Sequence, residues 1–148
     1  MIPQNKFKKN AMRLCSHLQA TNIKCGSLIE EYKINLALTF IDNMDPKVLT
    51  VKFIETTKDE WDHIVNSDLN YFVEHARELF SFLGEQIVNS MIKIVNSDKL
   101  NDDDVNRFWK LSKVMIANSI EYLKTNNIDN YDHVELNKLR EQIVDSLK

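Results

Sequence analysis

The chain has 148 residues, 43% hydrophobic and 28% charged, with a formal net charge of −3; this is one domain's worth of ordinary globular sequence and excludes a disordered or fibrous chain. Glycine and proline occur only twice each, too few for the turns of an all-β fold, for a glycine-rich phosphate loop or for a low-complexity linker. The two cysteines, Cys15 and Cys25, lack Cys-x-x-Cys spacing and make neither a disulfide framework nor a zinc site.

Hydrophobic periodicity predicts helix nearly throughout. The first helix covers about residues 5–20, with Phe7, Ala11, Leu14, Cys15 and Leu18 on one face and the lysines mostly opposite. Residues 21–27, with Gly26, read as a turn. A second helix over about 27–44 repeats Leu28, Ile29, Tyr32, Leu36, Phe40, Ile41 and Met44 at three-to-four spacing. At Asp45-Pro46 the aspartate can cap orphan N–H groups and the proline suits the first helical position. The third helix runs to about Asn66 and buries Leu49, Phe53, Trp61 and Ile64.

Ser67 or Asp68 caps a fourth helix, striped by Leu69, Phe72, Val73, Ala76, Leu79, Phe80 and Leu83, and Gly84 ends it or breaks it. A fifth aligns Ile87, Val88, Met91, Ile92 and Val95. After a loop at 97–101, Asn101 and three successive aspartates put acid at the amino end of a sixth helix, where it complements the helix dipole. That helix carries Val105, Phe108, Trp109, Ser112, Met115, Ile116, Ser119, Ile120 and Leu123. Asp132 and Glu135 form a capping pair for a last helix with Leu136, Leu139, Ile143 and Leu147. The predicted fold is all-α: a single compact bundle of six to seven helices over residues 1–148, with a basic amino-terminal helix or arm at about 1–26.

Charge is distributed unevenly. Residues 1–29 contain Lys6, Lys8, Lys9, Arg13 and Lys24 and no acid, whereas from Glu30 onward 14 basic side chains face 22 acidic ones. A basic arm on an acidic body seeks phosphate or an acidic partner, unless it is the solvated face of a first helix. No run of 18 apolar residues occurs, so no transmembrane insertion is expected. The start MIPQNKFKKN lacks a signal-peptide core, and no Asn-x-Ser/Thr sequon is present; the expected location is intracellular.

Chemistry-bearing patterns are few. Glu60 and His63 have the Glu-x-x-His spacing of di-iron bundles, but His17, His75 and His133 lack a Glu three residues earlier, so the second half of such a site is missing. Asp102, Asp104 and Asn106 imitate a calcium loop, yet Arg107 stands where its glycine belongs and Lys113 where its glutamate belongs. No Gly-x-Ser-x-Gly elbow exists, and Cys15 and His17, two apart, diverge on a helix. The sequence therefore predicts no catalytic residue, no metal and no cofactor, and no enzyme. The reading it favours is recognition of a protein partner or a second copy through Trp61, Tyr71, Phe72, Phe108 and Trp109, because interfaces favour large aromatics and the adjacent aromatics of each doublet diverge by about 100°. The alternative is nucleic acid or an acidic partner bound by Lys6, Lys8, Lys9 and Arg13, with Phe7 stacking on a base.

The stretch DPKVLTVKFIETTKDEWDHIVNSDLNYF, through Pro46, Phe53, Ile54, Trp61, Ile64, Asp68, Tyr71 and Phe72, resembles a pattern in small all-helical proteins of nucleocytoplasmic large DNA viruses, and FWKLSKVMIANSIEYLK is similar to a later helix of that family. The likeness covers about half the chain. It implies a viral source and, with no activity attached, a virion component or host-interaction module. The lysine-over-arginine usage, 15 to 4, agrees with AT-rich coding sequence. The poxviral Bcl-2-like fold shares length and helical class, but no Asn-Trp-Gly-Arg-like segment is present.

Overall fold

In the computed structural model, which describes residues 1–79, 81, 84–128 and 130–147 with the side chains of all of these but Leu69 and Leu79, side-chain caps set the starts of the helices at Pro46, Asp102 and His133. Their order is α1 (Pro3–Lys24), α2 (Glu31–Asn43), α3 (Pro46–Thr57), a 3-10 turn (Lys58–Glu60), α4 (Trp61–Val65), α5 (Leu69–Leu79), α6 (Glu85–Val95), α7 (Asp102–Thr125) and α8 (His133–Ser146). No strand occurs among the described residues, and the fold is the predicted all-α bundle.

Asp45 accepts from the backbone N–H groups of Lys47 (2.9 Å) and Val48 (3.2 Å), and Pro46 takes the first helical position of α3. Asn101 and Asp104 make a reciprocal capping box at α7: the Asp104 N–H donates to Asn101 Oδ1 at 2.8 Å, and the Asn101 N–H to Asp104 Oδ2 at 3.3 Å. Asp132 caps α8 through the N–H groups of Val134 and Glu135. The Glu135 carboxylate lies 4.0 Å from Lys58 Nζ.

Three predicted boundaries move, each for a local reason. First, α1 extends through the expected turn to Lys24, because Gly26 (φ 82°) closes it: the Ser27 N–H donates to the Asn22 carbonyl and the Gly26 N–H to that of Ile23, a Schellman closure. Buried Asn22 then holds the following loop by donating to the Ile29 carbonyl and accepting from the Ile29 N–H, both at 2.8 Å. Second, α2 consequently starts at Glu31 rather than at 27. Third, the expected helix 46–66 is split after Thr57. The hydroxyls of Thr56 and Thr57 donate back to the carbonyls of Lys52 (2.9 Å) and Phe53 (2.6 Å), a pattern that bends helices. Trp61 Nε1–H in turn donates to Thr57 Oγ1 at 2.9 Å and fixes α4 under the bend.

At the centre, α1 runs antiparallel along α7, since Lys6 faces Glu121, Asn10 faces Asn118 and Lys24 faces Asp104. α2 and α3 also pack on α1, α4 and α8 on α7, and α5 on α6 and α3. The α1 side chains Phe7, Ala11, Leu14, Cys15 and Leu18 are buried, as are Met115, Ile116, Ile120 and Leu123 of α7. Each such full burial is worth roughly 1.5–3 kcal/mol for a large apolar side chain. In α5, Phe72 and Ala76 are buried; the stripe positions Leu69, Leu79, Phe80 and Leu83 lie outside the described side chains. α6 buries Ile87, Val88, Met91 and Val95, and α8 buries Leu136, Leu139 and Ile143.

Candidate docking surface on α2

Helix α2 carries two apolar stripes. At 3.6 residues per turn, Tyr32, Leu36 and Phe40 centre on one face, and Ile34, Leu38 and Ile41 on a face about 165° away. A helix apolar on both faces can be satisfied only if both are covered. The core takes Ile34 (1% exposed) and Ile41 (0%) against α1, whereas Tyr32, Leu36 and Phe40 remain 57%, 63% and 53% exposed. The predicted stripe therefore mixed the two: Tyr32, Leu36 and Phe40 face outward, and Leu28 is exposed in the loop before α2.

Beside this outward stripe lies an open groove of about 640 Å³, walled by Tyr32, Leu36, Ala37 and Phe40 on one side and by Gly84, Glu85 and Ile87 at the start of α6 on the other. Lys33 crosses one end, where Nζ donates to Gln86 Oε1 (2.9 Å) and sits 3.5 Å from the Glu30 carboxylate. Glu85, exposed, is the acid of its lining among the described residues.

The aromatic doublets expected to recognise a partner sit elsewhere. Trp61, Phe72, Phe108 and Trp109 are 1%, 6%, 5% and 8% exposed, so they form core and not an open face. Phe72 meets Trp109 edge-on with ring centroids 5.3 Å apart, and His17 meets Phe108 at 4.5 Å, so a different neighbour covers each member of the Phe108-Trp109 pair. Tyr71 is half-buried between two imidazoles, stacked on His63 (3.5 Å, 5° between planes) and on His75 (3.9 Å, 12°). His63 Nδ1 also lies 3.8 Å from Asp68, not beside Glu60. No group of three or more His, Cys, Asp or Glu able to hold a metal occurs among the described residues.

The basic residues divide. Lys6, Lys9 and Arg13 share one face of α1 and line a cleft toward α7. Lys8 points the other way, donating to the carbonyls of Asp42 and Met44 (3.1 Å), and so satisfies the carboxyl end of α2. The segment is thus no free arm but the central helix. Phe7, expected to stack on a base, is 1% exposed and packs on Phe53 with ring centroids 4.9 Å apart.

Cys15 is 1% exposed, and burial pushes its thiol up to about 12, which keeps it protonated and unreactive. His17 does not assist it: its Nε2–H donates to the Asp104 carbonyl at 2.8 Å. Asp104 is held below the usual carboxylate range chiefly by its hydrogen bond from Lys24 (2.6 Å), helped by the Asn101 N–H. Burial lowers Lys113 of α7 below the usual lysine range. No helix among the described residues is long and apolar enough to cross a membrane. Compared with known protein families, with curated proteins and with solved structures, the chain matches none.

Proposed function

We propose that this chain is a non-enzymatic docking protein that receives an amphipathic helix, basic along its flanks, in the groove between α2 and the start of α6. The supporting observation is the run of Tyr32, Leu36 and Phe40, each more than half exposed at one-turn spacing along a groove. Exposed apolar side chains scattered singly are ordinary; a contiguous stripe beside a groove is the signature of helix-in-groove recognition.

Charge selects the occupant. Glu85 lines the groove and Glu30 stands at its end, where Lys33, a cation of the lining, is already engaged by Glu30 and Gln86. A partner helix with Lys or Arg beside its apolar stripe gains complementary pairs, while an acidic one is repelled. A second copy of α2 brings the same acids to the contact, which disfavours self-pairing. The reading gives a protein partner, viral or host, and the resemblance of residues 45–72 supports a virion component or host-interaction module as its setting.

The test is fluorescence anisotropy with two labelled synthetic helices that share a leucine stripe, one flanked by lysine and one by glutamate. The lysine-flanked helix is expected to bind, and Leu36→Glu to weaken it at least about tenfold, near 1.4 kcal/mol. Thermal stability should stay within about 0.5 kcal/mol of the parent, because Leu36 is 63% exposed. Equal binding by the variant, or no binding of either helix, contradicts the proposal.

A further inference from the structure

A second surface, on the opposite partner of α1, gathers charge of the other sign. Along the α1–α7 seam runs a cleft of about 490 Å³ with Lys6, Lys9 and Arg13 on the α1 side and Arg107 and Lys110 on the α7 side. No carboxylate lines it among the described residues, although the chain as a whole is acidic. Its floor is the Asn10–Asn118 pair, in which Asn10 Nδ2 donates to Asn118 Oδ1 at 2.9 Å; Asn10 Oδ1 accepts from Arg13 at 3.3 Å and steadies that guanidinium. Lys6 is partly engaged by Glu121 at 3.6 Å, outside the cleft, which leaves four cations facing it with no acid paired to them.

We propose that this seam binds the phosphodiester backbone of double-stranded nucleic acid. Three observations select that ligand. The cations come in two rows separated by a groove; Lys6 to Arg13 spans about 10 Å of helix rise, or roughly three base-pair steps. A ridge of phosphates enters such a groove, whereas a flat bilayer cannot reach its floor. The lining has no aromatic side chain, and Phe7 is enclosed, so unpaired bases find no stacking platform. Finally, the lining holds five cations and no carboxylate among the described residues, which suits an evenly spaced row of phosphates. Contacts to phosphate alone position a duplex without reading its sequence.

The experiment is anisotropy with a short labelled duplex of mixed sequence, repeated across a salt series. The expected plot of log affinity against log salt has a slope of about −3 to −4, from four neutralised phosphates. Arg107→Glu with Lys110→Glu should cut affinity at least about tenfold and flatten the slope by about two. Lys93→Glu with Lys138→Glu, exposed lysines outside the seam, makes nearly the same change in net charge and should leave the slope unchanged. Circular dichroism melts of both pairs establish that each folds. Equal loss in both pairs, absent or salt-independent duplex binding, tighter binding to a single strand, or seam-dependent binding to phosphatidylserine vesicles or an acidic peptide in place of duplex, each overturns the proposal. Because the seam and the α2 groove share no lining residue, this result is independent of the docking test.

Discussion

At the scale of single residues, burial and hydrogen bonding decide which polar groups are available for chemistry. Cys15 and Cys25 are both free thiols, and both are buried. With its thiol pushed up to about 12, Cys15 should resist a disulfide reagent in the native protein at pH 8 and react only on unfolding; labelling of Cys15 at the rate of a free thiol contradicts its enclosure between α1 and its neighbours. Asp104 carries the opposite shift. Its lowered value means that its stabilising contribution is complete above the ordinary carboxylate range and is lost as pH falls through the lowered value. Asp104→Asn should therefore destabilise by about 1 kcal/mol at pH 7, mainly through the cap because Lys24 is half exposed. Urea unfolding of the two proteins should converge once the pH has fallen through that lowered value; a gap that persists in stronger acid assigns the effect to something other than the carboxylate.

Among elements, the legibility of the sequence follows the range of the forces that set each one. Asp45, Asn101 and Asp132 act on their own next turn, so their helix starts are readable from residue type and spacing. The split at Thr57 is also local, but it depends on two threonine hydroxyls choosing the backbone as partner and on Trp61 folding beneath them. The outward stripe of α2 was not legible as such: Tyr32-Leu36-Phe40 and Ile34-Leu38-Ile41 are equivalent as patterns, and only the approach of α1 decides which one is buried. A helix with two opposed apolar stripes is nonetheless a signal that a second partner surface exists. Gly84, the N-cap of α6, has φ 90° and ψ 147°, a conformation open essentially to glycine. Nothing lies within 4 Å of a Cβ added there, so Gly84→Ala incurs backbone strain without a clash. A loss of about 1–3 kcal/mol in urea unfolding is expected; a neutral substitution contradicts the observed backbone.

For the whole molecule, the central event is the pairing of α1 with α7, two helices separated by most of the chain. No local pattern announces that Asn10 meets Asn118 or that Lys9 and Arg13 share a cleft with Arg107 and Lys110, which is why the sequence leaves open a basic helix or an arm where the fold has its central helix. The buried Asn10–Asn118 bond sets the register of that pair. Asn118→Ala leaves a buried amide donor unpaired and should cost about 1–3 kcal/mol, read as a lower midpoint in urea. The same pairing gathers cations along the α1–α7 seam, away from the α2 groove. Phe72, Phe108 and Trp109 of the predicted aromatic doublets are built into this core, with Tyr71 half-buried beside it, and the outer surface presents α2.

The docking role of α2 is most directly tested by mapping amide chemical shifts of the isotope-labelled protein as the lysine-flanked helix is added. Perturbations confined to α2 and the first turn of α6, centred on Leu36 and Ile87 and abolished in Leu36→Glu, are the predicted result. Shifts concentrated on the α1–α7 seam or on the His63-Tyr71-His75 stack, with α2 unchanged, would contradict it.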